Sequence, residues 1–151
     1  VNRARGLRIT FGCKELFLEL TQKYELPIGE GKCEKVIIPK IIANDWNLAK
    51  HTIRGIVDTD GSVYGADKPG SPNYPSIEIT TSSIRLAEQI KTILFTQGFR
   101  VANIWKYKSK NSSIPSYKVP LNGYKNIDLW LHKIGFSNST KLKKAKSLLY
   151  Q

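Results

Sequence analysis

Residues 53–61, Ile-Arg-Gly-Ile-Val-Asp-Thr-Asp-Gly, constrain the fold more than any other stretch of this 151-residue chain. A glycine stands third in an apolar run, and two carboxylates, Asp58 and Asp60, precede a closing glycine. A helix carrying Gly55 has no side chain at that point, so a second helix backbone can approach it closely. Gly61 is expected to end the helix in a left-handed conformation, which leaves Asp60 at the tip. Two such helices side by side would hold two carboxylates together. Hard divalent cations such as magnesium favour carboxylate oxygen combined with water and phosphate. Taken alone, Asp-X-Asp-Gly also fits an ordinary amphipathic helix running into a turn.

The length fits one domain with a small extension. No run approaches the ~18 apolar residues of a membrane-spanning helix, so no membrane role is expected, and the polar, basic start of the chain does not read as a signal peptide. Cys13 and Cys33 lack metal-ligand spacing and read as reduced intracellular thiols. His51 and His132 offer no zinc pattern.

The net charge of +12 is lopsided. Residues 1–84 hold 11 Lys/Arg against 10 Asp/Glu, whereas residues 85–151 hold 13 against 2. Such asymmetry suggests a polyanionic partner. Trp105, Tyr107, Tyr117 and Tyr124, interleaved with the basic residues, favour nucleic acid over a membrane surface.

Hydrophobic periodicity gives the elements. Gly6–Phe11 reads as a strand and Lys14–Tyr24 as a helix with Leu16, Phe17 and Leu20 on one face. Val36–Ile38 reads as a short strand, Pro39 as the start of a short helix, and Asn44 or Asn47 as a cap. The helix containing the nonamer is expected over Leu48–Thr59. Strands follow at Ser62–Ala66 and Ser76–Thr81 around a proline-containing loop, Asp67–Tyr74. Ser82 or Ser83 caps a helix that Gly98 stops near Gln97. A second hairpin, Arg100–Lys108 with Tyr117–Leu121, precedes helices at Lys125–Ile134 and Thr140–Leu149.

Strand alternation divides the faces. With Ile77 and Ile79 inward, Ser76, Glu78 and Thr80 face outward. Ser62, Tyr64 and Ala66 share a face that Lys68 continues. Lys118, Pro120 and Asn122 are outward on the last strand. On the third strand either Asn103, Trp105 and Tyr107 or Lys106 and Lys108 face outward; charge favours the lysines. Lys68, Lys108 and Lys110 sit near hairpin tips. In the leader, Arg3, Arg5, Arg8, Lys32 and Lys35 either extend a polyanion footprint or surround a small satellite core.

The nonamer closely resembles the LAGLIDADG motif of the homing endonucleases. Gly55, Asp58, Asp60 and Gly61 match letter for letter, and Ile53, Ile56 and Val57 match conservatively. Arg54 and Thr59 depart at the two alanine positions. The element order from residue 48, α-β-β-α-β-β-α and a final helix, resembles one repeat of that family. The resemblance implies an α+β fold, αββαββα, with a curved four-stranded antiparallel DNA-binding sheet and helices on one face. Residues 48–151 would form the endonuclease domain. Residues 1–47 form a leader resembling the strand-helix-strand end of a preceding repeat.

The same resemblance implies a site-specific double-strand DNA endonuclease, intron-encoded, cutting across the minor groove to leave 3′ overhangs. Asp60 and the backbone carbonyl of Thr59 would hold Mg²⁺ (or Mn²⁺, with Ca²⁺ as a non-cleaving substitute). Alignment by element order puts Thr81, Arg85 and Lys141 around the scissile phosphate as catalytic candidates. Thr81 departs from the longer polar side chain common there, and counting from Gly98 by analogy favours the aromatic set on the third strand. Ser62, Tyr64, Lys68, Ser76, Glu78, Thr80, Asn103, Trp105, Tyr107, Lys108, Lys118 and Asn122 are the DNA-binding candidates. One motif gives one carboxylate, so a homodimer through Ile53, Gly55, Ile56 and Asp58 on a pseudo-palindromic duplex is expected, with a fragment of a two-motif monomer as the competing explanation. Asp58, short of the tip, suits a helix-end or interface hydrogen-bond acceptor better than a metal ligand. The alternative function is an RNA maturase, with intron RNA as partner. The expected location is intracellular, cytoplasmic in a prokaryote or organellar.

Overall fold

The computed structural model describes residues 10, 12–108 and 112–150. The leader forms α1 (Lys14–Leu18), continued by a π-helical turn over Glu19–Lys23, then α2 (Lys32–Lys35) and α3 (Lys40–Ala43). The body follows as α4 (Trp46–Asp60), β1 (Ser62–Lys68), β2 (Ser71–Thr81), α5 (Ile84–Thr96), β3 (Trp105–Tyr107), β4 (Ser116–Asn122), α6 (Tyr124–Lys133) and α7 (Ser139–Leu149). The four strands make one antiparallel sheet in the order β1-β2-β4-β3. This α+β arrangement matches the fold expected from the sequence.

The helices pack on one sheet face because the strands alternate. Ile77, Ile79, Val119 and Leu121 are wholly buried there against Ile53 and Val57 of α4, Ile90 and Leu94 of α5, and Ile127 and Trp130 of α6. Burying each such side chain contributes about 1.5–3 kcal/mol relative to exposure. Trp130 keeps its indole satisfied by donating Nε1–H to the Gly135 carbonyl at 2.9 Å.

Several expectations need correction. Gly61 ends α4 in an extended conformation, φ −81° and ψ 164°, not a left-handed one. Its lack of a side chain matters for space, since a Cβ there would lie 2.8 Å from the Cα, Cγ1 and carbonyl oxygen of Val57. The N-cap of α4 is Asp45, whose Oδ1 accepts from Asn47 N–H at 2.8 Å. The first hairpin has no long loop. Pro69 and Gly70 (φ +74°) connect the strands directly, a pairing suited to a type II turn, with a bulge between Ala66 and Lys68. Pro72 and Pro75 are tolerated in β2 because pairing with β4 begins only at Ser76.

Val36–Ile38 joins no sheet. The Gln89 side chain satisfies that backbone instead: Ile38 N–H donates to Oε1 at 2.9 Å, and Nε2 donates to Ile38 O at 3.0 Å. The third strand is shorter than Arg100–Lys108, with one isolated bridge at Val101 and regular pairing from Trp105. Ala102 N–H donates to the Pro120 carbonyl, so Pro120 turns its polar side toward β3 and has no N–H to return. The expected strand Gly6–Phe11, apart from Thr10, lies outside the described residues, as do Arg3, Arg5, Arg8 and Lys110.

Candidate functional site

Asp60 occupies the C-terminal tip of α4 with its side chain exposed. Among the described contacts it has neither hydrogen bond nor ion pair. It opens on a cleft of about 880 Å³ at the end of the sheet. Thr80, Thr81 and Ser82 of the β2 terminus, Ser116 of β4, and Thr52 and Ile56 of α4 share its wall with apolar leader residues, including Leu20, Tyr24 and Ile38. The fold therefore brings Asp60 and Thr81 to one cavity, although Thr81 Oγ1 already accepts from Ser83 N–H at 3.1 Å. Ser116 was missed in the sequence because the strand seemed to start one residue later.

Arg85 is not brought to this cavity. It lines a separate depression with Asn44, Glu88 and Gln89. Leu86 and Ile90 fix the buried side of α5, and Arg85, about 100° around the helix from Leu86, is carried outward.

Lys141 sits at the tip of α4 from the opposite side. Its Nζ donates to the carbonyls of Val57 at 2.6 Å, Asp58 at 2.9 Å and Thr59 at 3.4 Å. An ammonium on the last carbonyls of a helix satisfies orphan acceptors and complements the negative end of the dipole. Asp58 adds a second tie, its Oδ2 accepting from Ser137 N–H at 2.8 Å while Oδ1 is buried without a partner. The turn entering α7 thus clamps the end of α4. Lys141→Met is expected to cost about 1–2 kcal/mol of stability, the worth of charge-assisted bonds at a part-buried site, measurable by urea titration.

On the exposed side of α4, Leu48, His51, Gly55 and Thr59 follow helical spacing. Among the described residues, nothing lies within 4 Å of a Cβ built on Gly55. Ile56 is half-buried, and Ile53 is wholly buried in the chain's own core. Ile53 therefore does not belong to the exposed face: it lies four residues from both Ala49 and Val57, the buried stripe of α4.

The sheet face away from the helices carries the other candidates. Ser62 is exposed, and Ser76 Oγ donates to Asn122 Oδ1 at 2.9 Å. Lys118 Nζ lies 2.7 Å from Glu78 Oε1, 4.7 Å from the Trp105 ring centre and 5.7 Å from that of Tyr107. Tyr64 donates its hydroxyl to Glu78 Oε2 at 3.4 Å, and burial, then the Glu78 charge, raises the phenol pKa above its ordinary value. These contacts settle the third strand: Trp105 and Tyr107 share the outward face with Lys118. Lys68 stands 3.8 Å over the Tyr74 ring. Asn103 and Lys108 are exposed on either side of β3.

As a metal site, one chain supplies a fitting half. Asp60 offers free carboxylate oxygens, and Thr59 a carbonyl shared with Lys141. Among the described residues no three His, Cys, Asp or Glu side chains converge. No described helix is long and apolar enough to cross a membrane.

The family model described as a LAGLIDADG-like domain matches residues 48–135. The chain is also 30% identical over 118 residues, 78% of its length, to part of the replication factor C small subunit of Methanocaldococcus jannaschii. The matched part is 6% of that protein.

Proposed function

Because this chain belongs to the LAGLIDADG family of homing endonucleases and maturases, we propose that it is a site-specific, metal-dependent DNA endonuclease acting as a homodimer. The observation that carries this reading is Asp60, an exposed carboxylate at a helix tip, free of any described partner and opening on a polar-ended cleft. In a maturase no chemistry asks for that acid, so its retention favours cleavage.

The chain's own groups divide the work. Lys141 and Asp58 fix the tip of α4, so Asp60 is presented at a defined place on the sheet's edge. Asp60 and the Thr59 carbonyl would hold Mg²⁺, which when bound supplies charge neutralisation at the phosphate and an acidified water. The Thr81 and Ser116 hydroxyls can hold water in the same cleft. The outward sheet face would lie in the major groove, which admits a two-stranded ribbon. Lys68 and Lys108 suit phosphate contact, which gives affinity, and strand side chains suit base contact, which gives discrimination. Arg85, lining a different depression, is left a helix-surface role.

The homodimer rests on Gly55. A glycine inside a helix costs about 1 kcal/mol relative to alanine, and no described residue of this chain needs the space. A second α4 lying across Leu48, His51, Gly55 and Thr59 explains it. Gly55→Leu should leave the monomer folded and shift sedimentation at micromolar concentration from dimer to monomer. A wild type that sediments only as monomer would end this part of the reading.

The matched relative is a long polypeptide in which the similar segment is a small part. The likeness is therefore one between domains, and no replication role is carried over. Such a unit can lie in-frame within a host protein as well as in an intron, and the flanks of the reading frame distinguish the two. The decisive assay for the function is incubation with Mg²⁺ and the uninterrupted host sequence, which should give one double-strand cut. Tighter, less salt-sensitive binding to intron RNA with no cleavage would favour the maturase.

A further inference from the structure

We propose that Lys118 reads a guanine base edge rather than a phosphate, and that Glu78 is the residue that positions it. The inference rests on the nuclease reading above and names one base pair of its substrate.

A lysine on a DNA-binding surface ordinarily meets the backbone, because its ammonium is a flexible point charge. Lys118 is paired and lies away from the rim. It lies on an interior strand, opposite Thr80 of β2 on one side and Trp105 of β3 on the other. Its Nζ is held 2.7 Å from Glu78 Oε1, and the Trp105 and Tyr107 rings stand 4.7 and 5.7 Å away. Glu78 is itself held by the Tyr64 hydroxyl. Four side chains from the three other strands thus surround one β4 ammonium, directly or through Glu78, near the middle of the face, where bases rather than phosphates would lie.

Glu78 is the only carboxylate on that face among the described residues, and its side chain is 10% exposed. A carboxylate facing a polyanion opposes binding. Its presence is explained if it aims the lysine. An ammonium has three N–H groups, so one bonded to Glu78 leaves two to donate. Guanine presents two adjacent major-groove acceptors, O6 and N7, and the paired cytosine presents an N4 amino donor that Glu78 oxygens can accept. An A·T pair sets a donor between its acceptors and adds a methyl group, which would lie against the ion pair. The site therefore favours G·C.

The test is selection of the full chain on a randomised duplex library in Ca²⁺, with melting curves as a folding control. Wild type should enrich a site with a fixed G·C pair, repeated symmetrically in the two half-sites. Lys118→Met should lose roughly ten- to a hundred-fold discrimination at that pair while keeping the other positions. Lys118→Arg, which also donates to O6 and N7, should keep guanine. Glu78→Gln should relax the same position and bind random-sequence duplex more tightly. If Lys118→Met instead weakens all sequences alike and lowers the salt slope by about one, the residue is a phosphate contact and the inference falls. If Glu78→Gln keeps full guanine preference, the positioning role falls. Should wild type enrich no duplex at all, the nuclease reading falls first and takes this inference with it.

Discussion

Asp60→Asn is expected to abolish double-strand cleavage while leaving the fold and duplex binding intact. Asp60 has no described hydrogen bond or salt bridge and is exposed at the end of α4. An isosteric change there should alter stability by no more than about 0.5 kcal/mol, as for other surface positions. Binding in Ca²⁺ should hold or improve, since one negative charge is removed beside a polyanion. Cleavage should fall by at least ~10³-fold, the order seen when one group stabilising transition-state charge is lost. Plasmid linearisation in Mg²⁺, duplex binding in Ca²⁺ and a melting curve together check the three parts. Cleavage that survives the substitution would remove Asp60 from the mechanism.

Gly61→Ala is expected to cost about 2–3 kcal/mol by overpacking. The backbone conformation is not the obstacle, because φ −81° suits alanine. The obstacle is Val57, whose Cα, Cγ1 and carbonyl oxygen would all lie 2.8 Å from the added carbon. Two of these atoms are helix backbone, and Lys141 holds the same carbonyl, so the helix end cannot yield without losing its clamp. Gly55→Ala is the matched control. Its methyl meets nothing, and helix propensity should raise monomer stability by up to about 1 kcal/mol. Urea titrations at equal protein concentration separate the two, since dimerisation makes apparent stability depend on concentration.

The body of the fold was legible because its strands and helices bury one face each. Ile77 and Ile79, or Leu86 and Ile90, announce a core at period two or at helical spacing. The leader was less so. Val36–Ile38 has strand-like side chains, but its backbone finds Gln89 rather than another strand, a partner 51 residues away. Pro72 and Pro75 suggested a loop because a proline's tolerance depends on whether a second strand lies beside it, which a sequence does not state. β3 was undecidable for a different reason: its three residues are all exposed, so no burial pattern marks its faces. At the site, Asp60 and Thr81 could be placed from the motif and the element order. The hold of Lys141 on three carbonyls more than 80 residues away could not, and Arg85, placed by the same element order, lines a different depression.

Pro120 gives the sheet an uneven stiffness. With one ladder bond missing opposite Ala102, the short outer strand hangs from β4 mainly through Trp105–Tyr107, while β1, β2 and β4 are laced together along their lengths. Trp105 and Tyr107 therefore ride on the side of the sheet that bends at least expense of hydrogen bonding. On the proposed duplex binding, differences in groove width between one duplex and another would be absorbed along that margin, while the strands that carry Glu78 and lead to the tip of α4 keep their register.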